Sequence, residues 1–276
     1  MLREPVVAGQ FYPDEKTELQ DMIQNCFKHK YGPGTQPTIS NEKVFGIICP
    51  HAGYMYSGPT ACHSYKSISL QNPELAIVIG PNHFGVGKNV ATMTNSTWRT
   101  PLGDVPVYSE AAEKIANESK FIEIDNYSHS QDHSLEVQIP MLQSMFSNKF
   151  KILPIILLAQ DLEIARDVGN AVSEIAKTKN SVIIGSSDFT HYEENSFAHI
   201  QDKALIKPIL EMDVERFYEI LIKKRVSACG FGAIASTMIA CKNLGATKGE
   251  LLSYATSGDV SGNTDSVVGY GAIKFI

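Results

Sequence analysis

Four short runs along the chain are apolar at nearly every position. Residues 44–49, 75–80, 151–158 and 181–185 are rich in Ile, Val and Leu. Strands covered on both faces look like this, whereas half-exposed strands alternate apolar with polar. Apolar residues recur at three- and four-residue spacing over 59–68, 109–119, 135–146 and 162–177, which predicts helices. Strands alternating with helices predict an α/β fold, a layered domain with a central, mostly parallel or mixed sheet flanked by helices. Residues 90–108, with Pro101-Leu102-Gly103-Asp104 at their middle, read instead as an antiparallel hairpin.

The last third is more helical, with 196–212, 214–224 and 231–244 before two closing strands, 251–256 and 267–275. Those strands return to a sheet after a long helical stretch, and no Pro/Ser-rich linker marks a boundary, so a single domain over 1–276 is expected.

Three of the apolar runs hand over abruptly to a histidine: IICPHAGYMYSG to His51, LAIVIGPNHFGVG to His83 and SVIIGSSDFTHY to His191. Loops at the carboxyl ends of strands are where open α/β sheets collect ligands, and parallel strands would bring these three histidines to one edge. Pro50 and Pro81 stiffen the turns, and Gly53, Gly85 and Gly87 permit close backbone approach.

Cys229, in RVSACGFGAIAS, precedes a predicted helix whose N-terminal dipole would favour a thiolate. Two imidazoles and a thiolate make a mononuclear site for iron, copper or zinc with open positions. A small buried residue at a helix start is the plainer reading of the same cysteine. Asp188 stands three residues before His191, where it can orient the imidazole for acid/base work or cap the next helix. His133 and Glu136, at i and i+3 in DHSLEVQIP, share a face of any helix there. The other histidines, His29, His63, His129 and His199, lie in polar or helical contexts that ask for no chemistry.

Composition narrows the partners. The chain is 43% hydrophobic and 20% charged with a net charge of −6, and its 24 Lys and Arg are scattered apart from Lys223-Lys224-Arg225. No concentrated basic face for a nucleic acid is expected. The longest apolar run, 152–159, is broken by Pro154 and falls far short of the roughly 18 residues of a membrane span, so no membrane partner is expected either. The first residues, MLREPVVAGQFYP, do not have the pattern of a secretory or transit leader. Five cysteines without a CxxC pair suit a reducing cytosol, and a cytoplasmic location is expected.

REPVVAGQFYP, PHAGYMYSGPTA, IGPNHFG, DHSLEVQIP, GSSDFTHY, ACGFGAI, YATSGDVSG and VVGYGAIKFI occur in that order over most of the chain. Together they resemble the Memo family. The resemblance implies an α/β fold related to the LigB-type, class III extradiol dioxygenases, which hold non-haem iron. It makes His51, His83 and Cys229 the metal positions, His191 the counterpart of the dioxygenase catalytic histidine, and Asp188 its companion. His133, Glu136 and Tyr54 are then expected around that centre, in the second shell or against a ligand. Those dioxygenases use a carboxylate where this chain offers Cys229. The resemblance further implies a small-molecule or peptide ligand and, for microbial members, partner proteins of a radical-SAM-linked system.

Three functions follow as expectations. The first is a metal-dependent redox or oxygenase-type enzyme, with Fe(II) or Cu favoured over Zn, in which His191 moves a proton. The second is an adaptor that binds an anionic (phospho)peptide or ligand in the same cleft without turnover. The third is a hydrolase or transferase with Cys229 as nucleophile, His191 as base and Asp188 as orienter.

Overall fold

The apolar runs form the parallel middle of a nine-stranded sheet in the computed structural model, which describes residues 1–35, 42–146 and 149–276. In chain order the strands begin with β1 (Leu2–Arg3), β2 (Gly46–Cys49), β3 (Leu75–Pro81), β4 (Val90–Thr92), β5 (Thr97–Thr100) and β6 (Gly103–Pro106). They continue with β7 (Glu123–Ile124), β8 (Lys151–Leu157), β9 (Ser181–Ser186), β10 (His191–Glu193), β11 (Gly249–Thr256) and β12 (Val267–Phe275). The first helices are α1 (Lys16–Lys28), α2 (Tyr54–Ile68), α3 (Ser109–Glu118) and α4 (Gln138–Met145). After them come α5 (Leu162–Ala176), α6 (Asn195–Leu210), α7 (Val214–Lys224), α8 (Phe231–Asn243) and the short α9 (Ser257–Ser261). Among the described residues, no helix is long and apolar enough to cross a membrane.

Strand order in the large sheet is β10-β12-β2-β9-β3-β8-β4-β7, with β11 also paired to β12. β2, β9, β3 and β8 run parallel, and β4 and β12 flank them antiparallel. Their side chains divide between two cores by simple alternation. Leu75, Ile77 and Ile79 of β3 pack on one face with residues of α3, α5, α7 and α8. Ala76 and Val78 pack on the other with residues of α1, α2 and α4. Burial on both faces is why these strands are apolar at consecutive positions.

Three expectations needed adjustment. Residues 90–108 do not form one hairpin: β4 joins the large sheet beside β8, while β5 and β6 pair with β1 in a separate three-stranded sheet. Asn95, at φ 49°, makes the turn between the two. Helix α4 starts at Gln138 rather than near 135, because Asp132 and Ser134 hold the preceding chain in a loop: the Ser134 N–H donates to Asp132 Oδ1 (2.7 Å) and its hydroxyl to the Pro81 carbonyl (2.8 Å). Helix α2 begins at Tyr54, earlier than 59, so that His51 lies just ahead of a helix as well as just past a strand.

Candidate metal centre

β2, β9 and β3 are immediate neighbours and point the same way, so the loops after them converge at one edge of the sheet. A hollow of about 450 Å³ opens there, lined among others by Phe11, His51, His83, His133, His191 and Cys229. The nitrogen donors of His51, His83 and His133 lie within 4.8 Å of one another.

The surroundings of His51 settle its tautomer. Its Nδ1 is 2.9 Å from the Ser186 hydroxyl, and that hydroxyl donates its one proton to the Ser134 carbonyl at 2.7 Å. Toward the imidazole, Ser186 is therefore an acceptor, Nδ1 carries the proton, and Nε2 is the proton-free nitrogen, an acceptor. Gln138 Nε2 donates to the same hydroxyl at 2.9 Å and to the Pro50 carbonyl at 2.9 Å, tying the turn to α4. His51 is only 2% exposed, and burial, reinforced by the neighbouring imidazoles, holds it well below the ordinary histidine range.

A carboxylate fixes His83. Asp132 Oδ2 accepts from the His83 backbone N–H at 2.6 Å and lies 3.1 Å from Nδ1. Burial alone would raise this carboxyl, but the hydrogen bonds and charge of His83 outweigh it and hold Asp132 below the usual range. With Nδ1 donating to Asp132, Nε2 is the nitrogen turned away from the carboxylate and is available to an ion when the ring is neutral, an arrangement that metal-binding histidines use.

His133 differs. Among the described residues, no group hydrogen-bonds to its ring, which lies stacked on His83 (centroids 4.7 Å apart, 14° between planes) and against Phe11 (4.7 Å). Burial lowers it to about 4.

His191 projects from the start of β10 with Nδ1 at 2.8 Å from the Phe189 carbonyl and 2.9 Å from the Ser227 carbonyl. Carbonyls only accept, so Nδ1 holds the proton and Nε2 is the available base. Among the described residues no hydrogen bond joins Asp188 to this ring, although the His191 charge acts on its carboxyl. The Asp188 carboxylate accepts the His51 backbone N–H at 2.8 Å and braces that turn, and burial pushes its carboxyl up to about 6.

Cys229 stands 3.1 Å from Nε2 of His51 and outside the group of three imidazoles. Gly230 lets α8 come this close, because a Cβ there would collide with the Ser186 carbonyl and lie 2.8 Å from Ser187 Cβ. Gln160 braces the same turn by donating to the Cys229 carbonyl (2.9 Å) and accepting from the Gly232 N–H (2.8 Å). The expected thiolate is not what this setting favours: burial, and then the Asp188 charge, push the thiol up. Nor do Cys229, His191 and Asp188 form a relay, since both partners of the proposed base turn toward His51.

Two residues expected around the site do not turn their side chains into the hollow. Tyr54 is buried with its hydroxyl on the Val137 carbonyl at 2.6 Å. Glu136, fully buried, pairs with Arg3 at 2.6 Å instead of with His133. Gly53 has an ordinary φ of −56°, whereas Gly85 and Gly87, at +68° and +81°, do use the left-handed region. Asp132, Ser186 and Phe11 enter the site without having been singled out; the Asp-His pair in DHSLEVQIP was the available signal for the first.

A family model described as Memo-like protein matches residues 3–274. A MEMO1 family protein of Nitrosopumilus maritimus is 72% identical over 276 residues, with 100% of both chains covered. Another, of Methanopyrus kandleri, is 45% identical over 280 residues, covering 100% of this chain and 99% of that one. Among solved structures, an uncharacterized protein of Escherichia coli K12 matches with a TM-score of 0.57 and 9% identity, over 83% of this chain and 99% of that one. At that identity the likeness concerns the fold alone.

Proposed function

The chain belongs to the Memo family, and on that premise we propose that it is a metal-dependent redox protein of the oxygenase type, acting on a small-molecule or peptide ligand. His51, His83 and His133 would hold a single metal ion, with the Cys229 sulfur as a fourth donor beside His51. The observation that carries this reading is the set of hydrogen bonds behind His51 and His83, which hold the Nδ1 side of each ring and leave Nε2 as the nitrogen open to an ion.

The donor set fits a metal. Nitrogens at most 4.8 Å apart surround a centre no more than about 2.8 Å from each (4.8 divided by √3), so small ring rotations reach the roughly 2.0–2.1 Å of a metal–imidazole bond. Mixed imidazole and sulfur donors suit Fe(II) or Cu as well as Zn, and a redox role favours the first two. When bound, such an ion supplies one-electron chemistry and a positive centre for an anionic group of the ligand. The protein's own part is to orient and to move a proton. His191 presents Nε2 from a ring held by two carbonyls, and Asp188 keeps the His51 turn in place.

An anion-binding adaptor has less support. His51 and His133 are held below the ordinary histidine range and Asp132 and Asp188 stand close by, so the hollow brings little positive charge of its own.

Metal analysis of protein purified without chelator, followed by anaerobic reconstitution with Fe(II), Cu(I) and Zn(II), tests the reading. One equivalent is expected, lost in His51→Ala and His83→Ala and kept in His191→Ala. A chain that takes up no metal tightly, yet binds phosphopeptides unchanged after chelation, would return the adaptor to first place.

A further inference from the structure

Among the described residues, His133 is the imidazole of the three whose ring no hydrogen bond orients, so its placement there comes from its backbone and its packing. The first dozen residues, the stretch REPVVAGQFYP, contribute to both, beside the stacking on His83. Arg3 is 3% exposed and divides its guanidinium among three acceptors: Nε to the His129 carbonyl (2.7 Å), Nη2 to the Asp132 carbonyl (2.7 Å) and Nη1 to Glu136 Oε2 (2.6 Å). His133 is therefore bracketed, with the carbonyl before it and the side chain three residues after it held by one cation. A planar fork suits that task better than an ammonium.

The other end is fastened as firmly. The Glu136 carboxylate also accepts from the backbone N–H groups of Val6 and Val7 (2.9 and 3.1 Å) and from the Tyr12 hydroxyl (2.7 Å). Pairing of β1 with β5 seats Arg3 beside Trp98, with the guanidinium 4.0 Å over the indole. Tyr12 closes the loop one residue after Phe11, whose ring meets His133 and whose carbonyl accepts from the Tyr54 N–H (2.8 Å). Because Asp132 also carries His83, the same clamp reaches two of the three imidazoles.

We infer that residues 3–12 are a working part of the site: Arg3 and Glu136 are positioning residues that set the Asp132-His133 segment, and Phe11 is the wall that holds the His133 ring. A buried ion pair is a poor source of stability but can select one arrangement among several. Its affinity arm rests on the metal-centre reading; its geometric arm does not.

The test uses Arg3→Lys, which keeps the charge but gathers its donors on one nitrogen and so cannot span acceptors held by Nε, Nη1 and Nη2, and Phe11→Leu, which keeps an apolar contact without the ring. In imidazole nitrogen–proton correlation spectra of the metal-free chain, the His133 signals are expected to shift in both variants while those of His191 stay. In Co(II) titrations of chelator-stripped protein, Arg3→Lys is expected to weaken binding about 10–100-fold, as outer-shell substitutions do, and to add a clearly smaller loss in a His133→Ala background, where only the route through Asp132 to His83 remains. Unmoved His133 signals in both variants, or an equal Arg3→Lys loss with and without His133, would overturn the inference. A parent chain that binds no Co(II) would count against the metal-centre reading instead, and the metal-free spectra would still decide the positioning role.

Discussion

The Cys229 sulfur lies 3.1 Å from Nε2 of His51, and since that nitrogen carries no proton the thiol is the donor. The nitrogen that a metal needs is thus occupied by a group that is itself a metal ligand once deprotonated. Metal uptake would release the thiol proton to solvent and exchange the S–H···N contact for two bonds to the ion.

Cys229→Ser should therefore separate the two kinds of donor. With Co(II) as the probe, the parent protein is expected to show a near-ultraviolet sulfur-to-cobalt band, and the variant to lose that band while keeping visible bands from the imidazoles. Affinity should fall by about 10-fold or more, because even an outer-shell partner is worth that. A parent spectrum without the sulfur band would leave the site to the three histidines alone.

Ser186 has no contact with the ion in this scheme, yet its removal should be felt twice. Its hydroxyl accepts from His51 and Gln138 and donates to the Ser134 carbonyl, all buried. Ser186→Ala leaves these groups unpaired, and each orphan of this kind costs about 1–3 kcal/mol. Urea unfolding should show a loss in that range or above, and Co(II) affinity should drop about 10–100-fold as the His51 tautomer is freed. Full stability with unchanged affinity would mean that Ser186 does not orient the ring.

Much of this arrangement could be read before any coordinates, and the reasons are specific. β2, β3 and β9 were legible because strands buried on both faces are apolar throughout, and His51, His83 and His191 because each breaks such a run. What stayed hidden depends on contacts between distant segments. Asp132 serves His83 across 49 residues, and no local pattern announces that. Glu136 was paired with His133 by helical spacing, but the loop there is not helical and Arg3 draws the carboxylate away. For Cys229 the helix dipole argued for a thiolate, and burial of the sulfur prevailed.

Gly230 is where packing and site meet, and a single methyl group tests it. In Gly230→Ala the new Cβ would press on the Ser186 carbonyl and Ser187 side chain, neither of which is a flexible side-chain end that can swing aside. Overpacking of this kind costs about 1–3 kcal/mol, measurable as a lowered urea midpoint. The start of α8 should move with it and carry Cys229 from His51, so the sulfur-to-cobalt band should weaken more than the visible bands do. An unshifted midpoint would show that the contact relaxes freely.

Acid should weaken the fold through His129, which is buried edge-on to Trp98 (6.1 Å between centroids, 71° between planes). Burial, and then the Arg3 charge, lower its imidazole to about 3. Unfolded, the same group titrates near the ordinary value of about 6.5. Above that pH neither state holds the proton and its contribution to stability is complete. Between about 6.5 and 3 the unfolded chain binds a proton that the folded chain refuses, so stability falls with pH by up to about 1.4 kcal/mol per pH unit from this group. His129→Phe keeps a ring against Trp98, cannot titrate, and leaves the His129 backbone carbonyl that Arg3 uses. Urea unfolding at a series of pH values from 7 to 4 should give a shallower decline for the variant, by close to that slope below pH 6. Parallel declines for the two proteins would assign the acid sensitivity to other groups.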